Sequence, residues 1–293
     1  MVLVIGATGN QGGSVVRALL AAGVGVRALT RRPAGRRAQR LRRLGVEVVG
    51  GDLGDPDRLT RALEGAVAVF AVQNYWETGP ERELRYARSV LQASRRAEVR
   101  HLIYSSGLGV RAHSGLVALE GKFQAEQELR ASGIPYTVIR PALFMEDFLG
   151  ASVPLPTFAR YLLSRSPIAV GRLLIGVLAA MGPPSRRVPL CALSDVGQTV
   201  SWALDHPAES LNRAFDLVGD APTVRDLQTS WQDVGLPPAW SFPGISLGLR
   251  LLRPDLAALL HDLTTTAEAE WHLPPLQLTR WQDFLQGMAH PAH

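Results

Sequence analysis

The sequence predicts an α/β protein, a doubly wound parallel sheet with a smaller, mostly helical C-terminal lobe. Three observations carry this. Short apolar runs alternate with segments of helical periodicity through the first half of the chain. Apart from Arg27 and Glu47 those runs carry no charge, as expected of strands covered on both faces. After about residue 145 the rhythm gives way to helical sequence rich in Trp and Pro. At 293 residues the chain can bury one large core with a smaller lobe. Hydrophobic residues at 46% and charged residues at 19% make an ordinary globular composition.

The elements follow in order. Val2 to Ile5 is a strand ended by Gly6, and Val15, Val16, Leu19 and Leu20 recur at helical spacing until Gly23. Val24 to Leu29 is a second strand, Arg36 to Leu44 a helix, and Val46 to Val49 a third strand. Pro56 opens a helix to Leu63, and Val67 to Val72 is strand four. Pro80 to Ala97 is a long amphipathic helix, Leu102 to Tyr104 strand five, Leu119 to Arg130 a helix, and Tyr136 to Ile139 a strand stopped by Pro141. Asp195 to Leu204 and Ala214 to Val218 read as a helix and a strand that return to the sheet. The expected division is therefore residues 1–150, joined by 186–220, and a lobe made of 151–185 and 221–293.

Between strand one and the first helix stands Gly6-Ala7-Thr8-Gly9-Asn10-Gln11-Gly12. Glycines three apart permit a tight turn and let backbone approach a pyrophosphate, while the helix start offers unpaired N–H groups. Its position after a strand and before an amphipathic helix points to a Rossmann-type dinucleotide loop, the alternative being a simple strand-to-helix turn. At the end of strand two, where an acid would take the ribose 2′-hydroxyl, the chain has Arg31 and Arg32. Two guanidinium forks suit a 2′-phosphate, so NADP(H) is expected ahead of NAD(H). The alternative is that they begin a solvated basic face, since Arg36, Arg37, Arg40, Arg42 and Arg43 follow. That run has no interleaved aromatics and no helix-turn-helix or zinc pattern, so nucleic acid is not an expected partner. Asp52 and Leu53 after strand three can meet an adenine, and Gln73, Asn74 and Tyr75 after strand four stand at the strand ends where such sites lie; either segment can equally be an ordinary loop.

Lys122 is the only lysine among 31 basic residues. An arginine-rich chain that keeps one lysine asks for a compact ammonium at that place, chance survival being the alternative. The single Cys191 excludes an internal disulfide and reads as a buried strand position. The longest apolar stretch, Ile168 to Met181, contains Arg172 and falls short of a membrane span, and no secretory leader is visible, so a soluble cytoplasmic protein with no membrane partner is expected.

The loop at 6 to 12, Leu-Thr-Arg at 29 to 31, Asn-Tyr-Trp-Glu at 74 to 77, Gly-Lys at 121 to 122 and Phe-Met-Glu-Asp at 144 to 147 together resemble the NmrA-like family, atypical short-chain dehydrogenase/reductases, over roughly the first 220 residues. The resemblance implies a core that binds NADP(H) through Gly6 to Gly12, Arg31, Asp52, Leu53, Gln73, Asn74, Tyr75, Lys122 and the segment with Phe144 and Glu146. It implies two kinds of activity: NADPH-dependent oxidoreductases, here with an apolar quinone- or aromatic-type substrate, and catalytically weak NADP(H) redox sensors that regulate through protein partners. The superfamily's catalytic set is a Ser after strand five and Tyr-x-x-x-Lys on the next helix. Ser105 and Lys122 fit, but Ala118 stands where the tyrosine belongs. Lys122 then either holds the nicotinamide ribose or, if burial lowers its pKa, protonates a substrate oxygen. Of the nearby ionisable residues His113, Glu120 and Tyr104, none has the spacing to share its helix face. Phe144 to Leu149 is expected over the nicotinamide half. The apolar residues Leu155, Phe158 and Tyr161 beyond it form either a substrate pocket or the core of the lobe. Trp231, Trp240, Trp271 and Trp281 are expected to pack the lobe or to offer a partner surface.

Overall fold

The apolar runs form β1 (Val2–Ile5), β2 (Val26–Thr30), β3 (Glu47–Gly50), β4 (Ala68–Val72), β5 (His101–Ser105) and β6 (Tyr136–Pro141). Between them lie α1 (Asn10–Ala21), α2 (Arg36–Arg43), α3 (Pro56–Leu63), α4 (Pro80–Arg96) and α5 (Val117–Ala131). Then come β7 (Leu143–Phe144), a 3-10 turn over Met145–Leu149, α6 (Pro167–Met181), β8 (Leu190–Cys191), α7 (Leu193–Asp205), α8 (Pro207–Ser210), β9 (Arg213–Leu217), α9 (Val224–Asp233), α10 (Pro254–Thr265) and α11 (Trp281–Ala289). This computed structural model describes residues 1–73, 79–149, 167–241, 254–265 and 270–289.

Seven strands pair in the order β3-β2-β1-β4-β5-β6-β9, and β7 pairs with β8 alone. Val2 lies beside both Val26 and Ala68 in parallel register, so the chain runs outward from β1 in both directions and the order reverses between β1 and β4. Such a reversal opens a crevice beyond the strand ends. All four residues of β1 are buried, as a central strand requires. The sheet packs Leu3, Val69, Leu102 and Val138 against Leu59, Leu63, Val90 and Leu129 of the helices.

Helix ends follow local chemistry. The Asp55 carboxylate accepts from the Arg58 amide at 3.0 Å, with Pro56 at the first helical position of α3. Thr223 and Asp226 form a reciprocal capping box on α9. Strand two begins at Val26, two residues later than the sequence suggests, because the Val24 amide closes the end of α1 on the Leu19 carbonyl at 2.9 Å.

Two compact units result: Met1–Arg140 with Val196–Asp216, and Pro141–Asp195 with Leu217–His293. In the second, Trp231 and Trp281 are almost wholly buried and Phe148 packs on Trp281 with ring centroids 4.9 Å apart. Trp240 instead sits under the Arg172 guanidinium at 5.3 Å. Cys191 is fully buried on β8, where burial pushes its thiol pKa well up. The apolar stretch at 168–181 becomes α6, and among the described residues no helix is long and apolar enough to cross a membrane.

Candidate functional site

The glycine loop leaves β1 at the reversal of strand order. Gly6 takes a φ of +77°, and a Cβ there would stand 2.6 Å from Val72 Cγ1 on β4. The Gly9 amide donates to the Gly6 carbonyl at 2.8 Å, closing the turn. Gly12 fixes how near helix and loop come: its Cβ would overlap the Gly6 carbonyl and reach 2.7 Å from the Ala7 nitrogen. Gly9 caps α1 without a side chain, and the first bond its carbonyl receives within the helix comes from Gly13. The amides of Gln11 and Gly12 therefore precede the helical ladder, and α1 has no acid in its first turn. The result is a concave backbone surface with the positive end of a helix dipole behind it, suited to an anion.

Arg31 and Arg32 are exposed at the end of β2. Sequence reasoning assigned Arg37 only to a basic run, yet its Nη1 donates to the Thr8 carbonyl at 3.3 Å, which brings a guanidinium to the loop. Asp52 accepts from the Gly54 amide through Oδ1 at 2.8 Å. Leu53 is half-buried and packs against the sheet core. Gln73 is 5% exposed, and neither polar atom of its amide has a partner among the described residues. Asn74 and Tyr75 lie outside the described residues.

The end of β5 comes to the same loop. Ser105, fully buried, donates to Gln11 Oε1 at 2.7 Å, joining residues 94 apart in sequence. The stem of Lys122 runs past Gly107, where an added Cβ would sit 3.6 Å from Lys122 Cδ. Its Nζ donates to Glu83 Oε1 at 2.8 Å, with side chains 14% and 0% exposed. Burial pulls the lysine pKa down, but the Glu83 charge and hydrogen bond, with the Glu126 carboxylate, outweigh it, and the pKa is raised. The alternative in which burial makes Lys122 a better acid thus meets the opposite balance. Burial pushes the neighbouring Tyr104 phenol up to about 12, and its hydroxyl has no partner among the described residues. Tyr104 and Gln73 both line a cavity of about 10 Å³ beneath α4 and α5, the room of roughly one water.

Ala118 lies on α5 one turn before Lys122 and carries no proton to give. His113 is exposed on a loop with φ +54°, and Glu120 accepts from Ser114 and Gly115. Glu83 was not a sequence-derived candidate. Its signal was present: positions 83, 87, 90 and 94 form the buried stripe of α4, and a carboxylate on such a stripe requires a buried partner.

Phe144 and Glu146 belong to the second unit. Phe144 is half-buried on β7 beside Cys191, and the Glu146 carboxylate accepts from the Leu193 amide at 3.0 Å at the start of α7. Leu155, Phe158 and Tyr161 lie outside the described residues.

Over residues 1–235 the chain matches the NmrA-like family. It is 38% identical over 167 residues to malD of Malbranchea aurantiaca, an NmrA-like family domain-containing oxidoreductase, covering 52% of this chain and 49% of that protein. It is 32% identical over 149 residues to an NAD(P)H azoreductase of Xenophilus azovorans, covering 51% and 50%. The chain thus spans about half the length of these curated relatives. An NADPH-dependent quinone oxidoreductase of Escherichia coli, solved with NADPH, shares the fold with a TM-score of 0.69 at 21% identity, covering 98% of this chain and 99% of that one.

Proposed function

The chain belongs to the NmrA-like family, and we propose that it is an NADP(H)-dependent oxidoreductase acting on an apolar acceptor of the quinone or aromatic type. The observation that carries this is the glycine cradle at the reversal of strand order. A Cβ on Gly6 or Gly12 would close it, and it presents helix-start amides where a pyrophosphate binds. The orphaned, buried amide of Gln73 at the end of β4 also fits a polar ligand. In this reading Gly6 to Gly12 hold the pyrophosphate, and Asp52 and Leu53 face the adenine. Arg31, Arg32 and Arg37 take the 2′-phosphate, which is the basis for NADP(H) over NAD(H). Ser105 and Lys122 flank the nicotinamide ribose. The NADPH-bound quinone oxidoreductase and the NAD(P)H azoreductase support the class of cofactor and acceptor.

Bound NADPH supplies the hydride. The chain's own residues orient it and stabilise charge. With Ala118 in place of an acid and Lys122 paired to Glu83, no side chain on this face of α5 readily releases a proton. That suits a quinone, whose reduced oxygen is a phenolate with a pKa of about 10 that takes its proton from water. A ketone would generate a far more basic alkoxide.

The same missing acid favours a second reading, an NADP(H) sensor that acts through a protein partner and turns over little. One experiment separates them. NADP⁺, NADPH, NAD⁺ and NADH are titrated calorimetrically, and loss of NADPH absorbance is followed with quinones, azo dyes and aldehydes. The enzyme reading expects NADPH binding and turnover of quinones ahead of aldehydes. Tight NADPH binding with no turnover on any acceptor leaves the sensor, and no binding of any dinucleotide overturns both.

A further inference from the structure

Glu83 is fully buried on the apolar stripe of α4, between the helix and the sheet. An ionised carboxylate in that position survives only with a counter-charge. The counter-charge is the one lysine of the chain, 39 residues away on α5. From this geometry we infer that Glu83 is a positioning residue: it anchors the Lys122 ammonium beside the end of β5 and keeps it a cation. Lys122 then serves the cofactor site proposed above as a fixed charge and hydrogen-bond donor, not as a proton donor. The inference rests on that reading for the cofactor, but not for the state of the lysine.

The neighbours leave Glu83 as the committed partner. Glu126, on the same helix as Lys122, is also fully buried, but its two oxygens are held by Arg140 of β6, and one of them by Arg130 as well. Tyr104 of β5 faces the pair as a neutral phenol, since burial raises its pKa. Glu83 Oε2 has no partner among the described residues, so the hydrogen bonding recorded for this carboxylate goes to the lysine. The lysine stem lies beside Gly107, within van der Waals reach of where a Cβ would stand.

The lone lysine makes the test direct. In protein labelled with ¹³C and ¹⁵N at lysine, the side-chain signals report a single site. Wild-type Lys122 is expected to remain charged up to at least pH 10.5, the ordinary lysine value. In Glu83→Gln its titration is expected to move down by about one unit or more. Unchanged titration in this near-isosteric variant overturns the inference. Binding supplies the second arm. Glu83→Gln is expected to weaken NADPH about tenfold where Lys122 is present and less than about twofold in a Lys122→Met background. Equal weakening in both backgrounds would mean that Glu83 acts on the fold alone, and would sink the positioning role. Should Glu83→Gln not fold, Glu83→Asp keeps the charge but withdraws it by one methylene. It is expected to leave the lysine charged while weakening NADPH, and a lysine that loses its charge in this variant counts against the inference. If wild-type protein binds no dinucleotide, the proposed function fails, whereas the lysine titration still decides whether Glu83 governs Lys122.

Discussion

The glycine loop and the Lys122 pocket stand in one unit, linked by the Ser105–Gln11 hydrogen bond, and they prepare for charge by opposite means. The loop uses backbone alone. Its amides and the start of α1 are polarised by the fold, and glycines at 6, 9 and 12 keep side chains out of the way. The pocket uses two ionised side chains taken out of water and set 2.8 Å apart. A backbone cradle needs no desolvated formal charge and stands ready for an anion. A buried ion pair is stable only while both members are present. The loop is therefore sensitive to added bulk, and the pocket to a missing partner.

Five changes test that contrast, in falling order of expected effect. Lys122→Met leaves the Glu83 carboxylate buried and unpaired and is expected to cost about 3 kcal/mol in denaturant unfolding, with much of the loss recovered in Lys122→Met/Glu83→Gln. The pH dependence has a definite sign. The folded pKa of Lys122 is raised, so the pair's contribution is complete below the unfolded value of 10.5 and is lost as pH rises through the folded value. In Glu83→Gln, where burial acts without its counter-charge, stability is expected to climb with pH toward 10.5. Parallel alkaline profiles for the two proteins would refute this account of the pocket. Next, Gly12→Ala forces helix and loop apart and is expected to cost about 2 kcal/mol and abolish NADPH binding measured by calorimetry. Retained binding would show that the cradle is not the phosphate site. Arg31→Ala is expected to lower the preference for NADPH over NADH about tenfold with little change in melting temperature. An unchanged preference would move the 2′-phosphate elsewhere, Arg37 being the next guanidinium to replace. Smallest, Ser105→Ala removes the bond to Gln11 and is expected to cost about 1 kcal/mol, read by thermal unfolding.

The contrast also explains what was legible in the sequence. A backbone cradle is written within seven consecutive residues, and the strands around it announce themselves as mostly apolar runs, broken only by single charges such as Arg27 and Glu47, so the loop and the β1-to-β6 framework could be read directly. Strand two begins late because a helix-closing bond at Val24 depends on how α1 ends, which hydropathy does not encode. The Lys122 pocket needs residues from three elements to meet. Lys122 drew notice as the only lysine, and Ala118 as a missing acid, but Glu83 looked like one more charge in the run Glu81-Arg82-Glu83. Only its register with Ala87, Val90 and Ser94 sets it inward. Arg37 was hidden the same way, as one arginine among several, until α2 brought it to the Thr8 carbonyl.

The solitary lysine has a further consequence, for proteolysis. A lysine-specific protease finds one cleavable bond in this chain, inside α5, with the recognised side chain engaged by Glu83. Cutting requires several residues to leave the helix and enter an extended site, so the folded molecule is protected and only an opened one is nicked. The rate of that single cut, yielding fragments of 122 and 171 residues, measures how often the region around Lys122 opens. A dinucleotide that engages this lysine should slow it in proportion to occupancy.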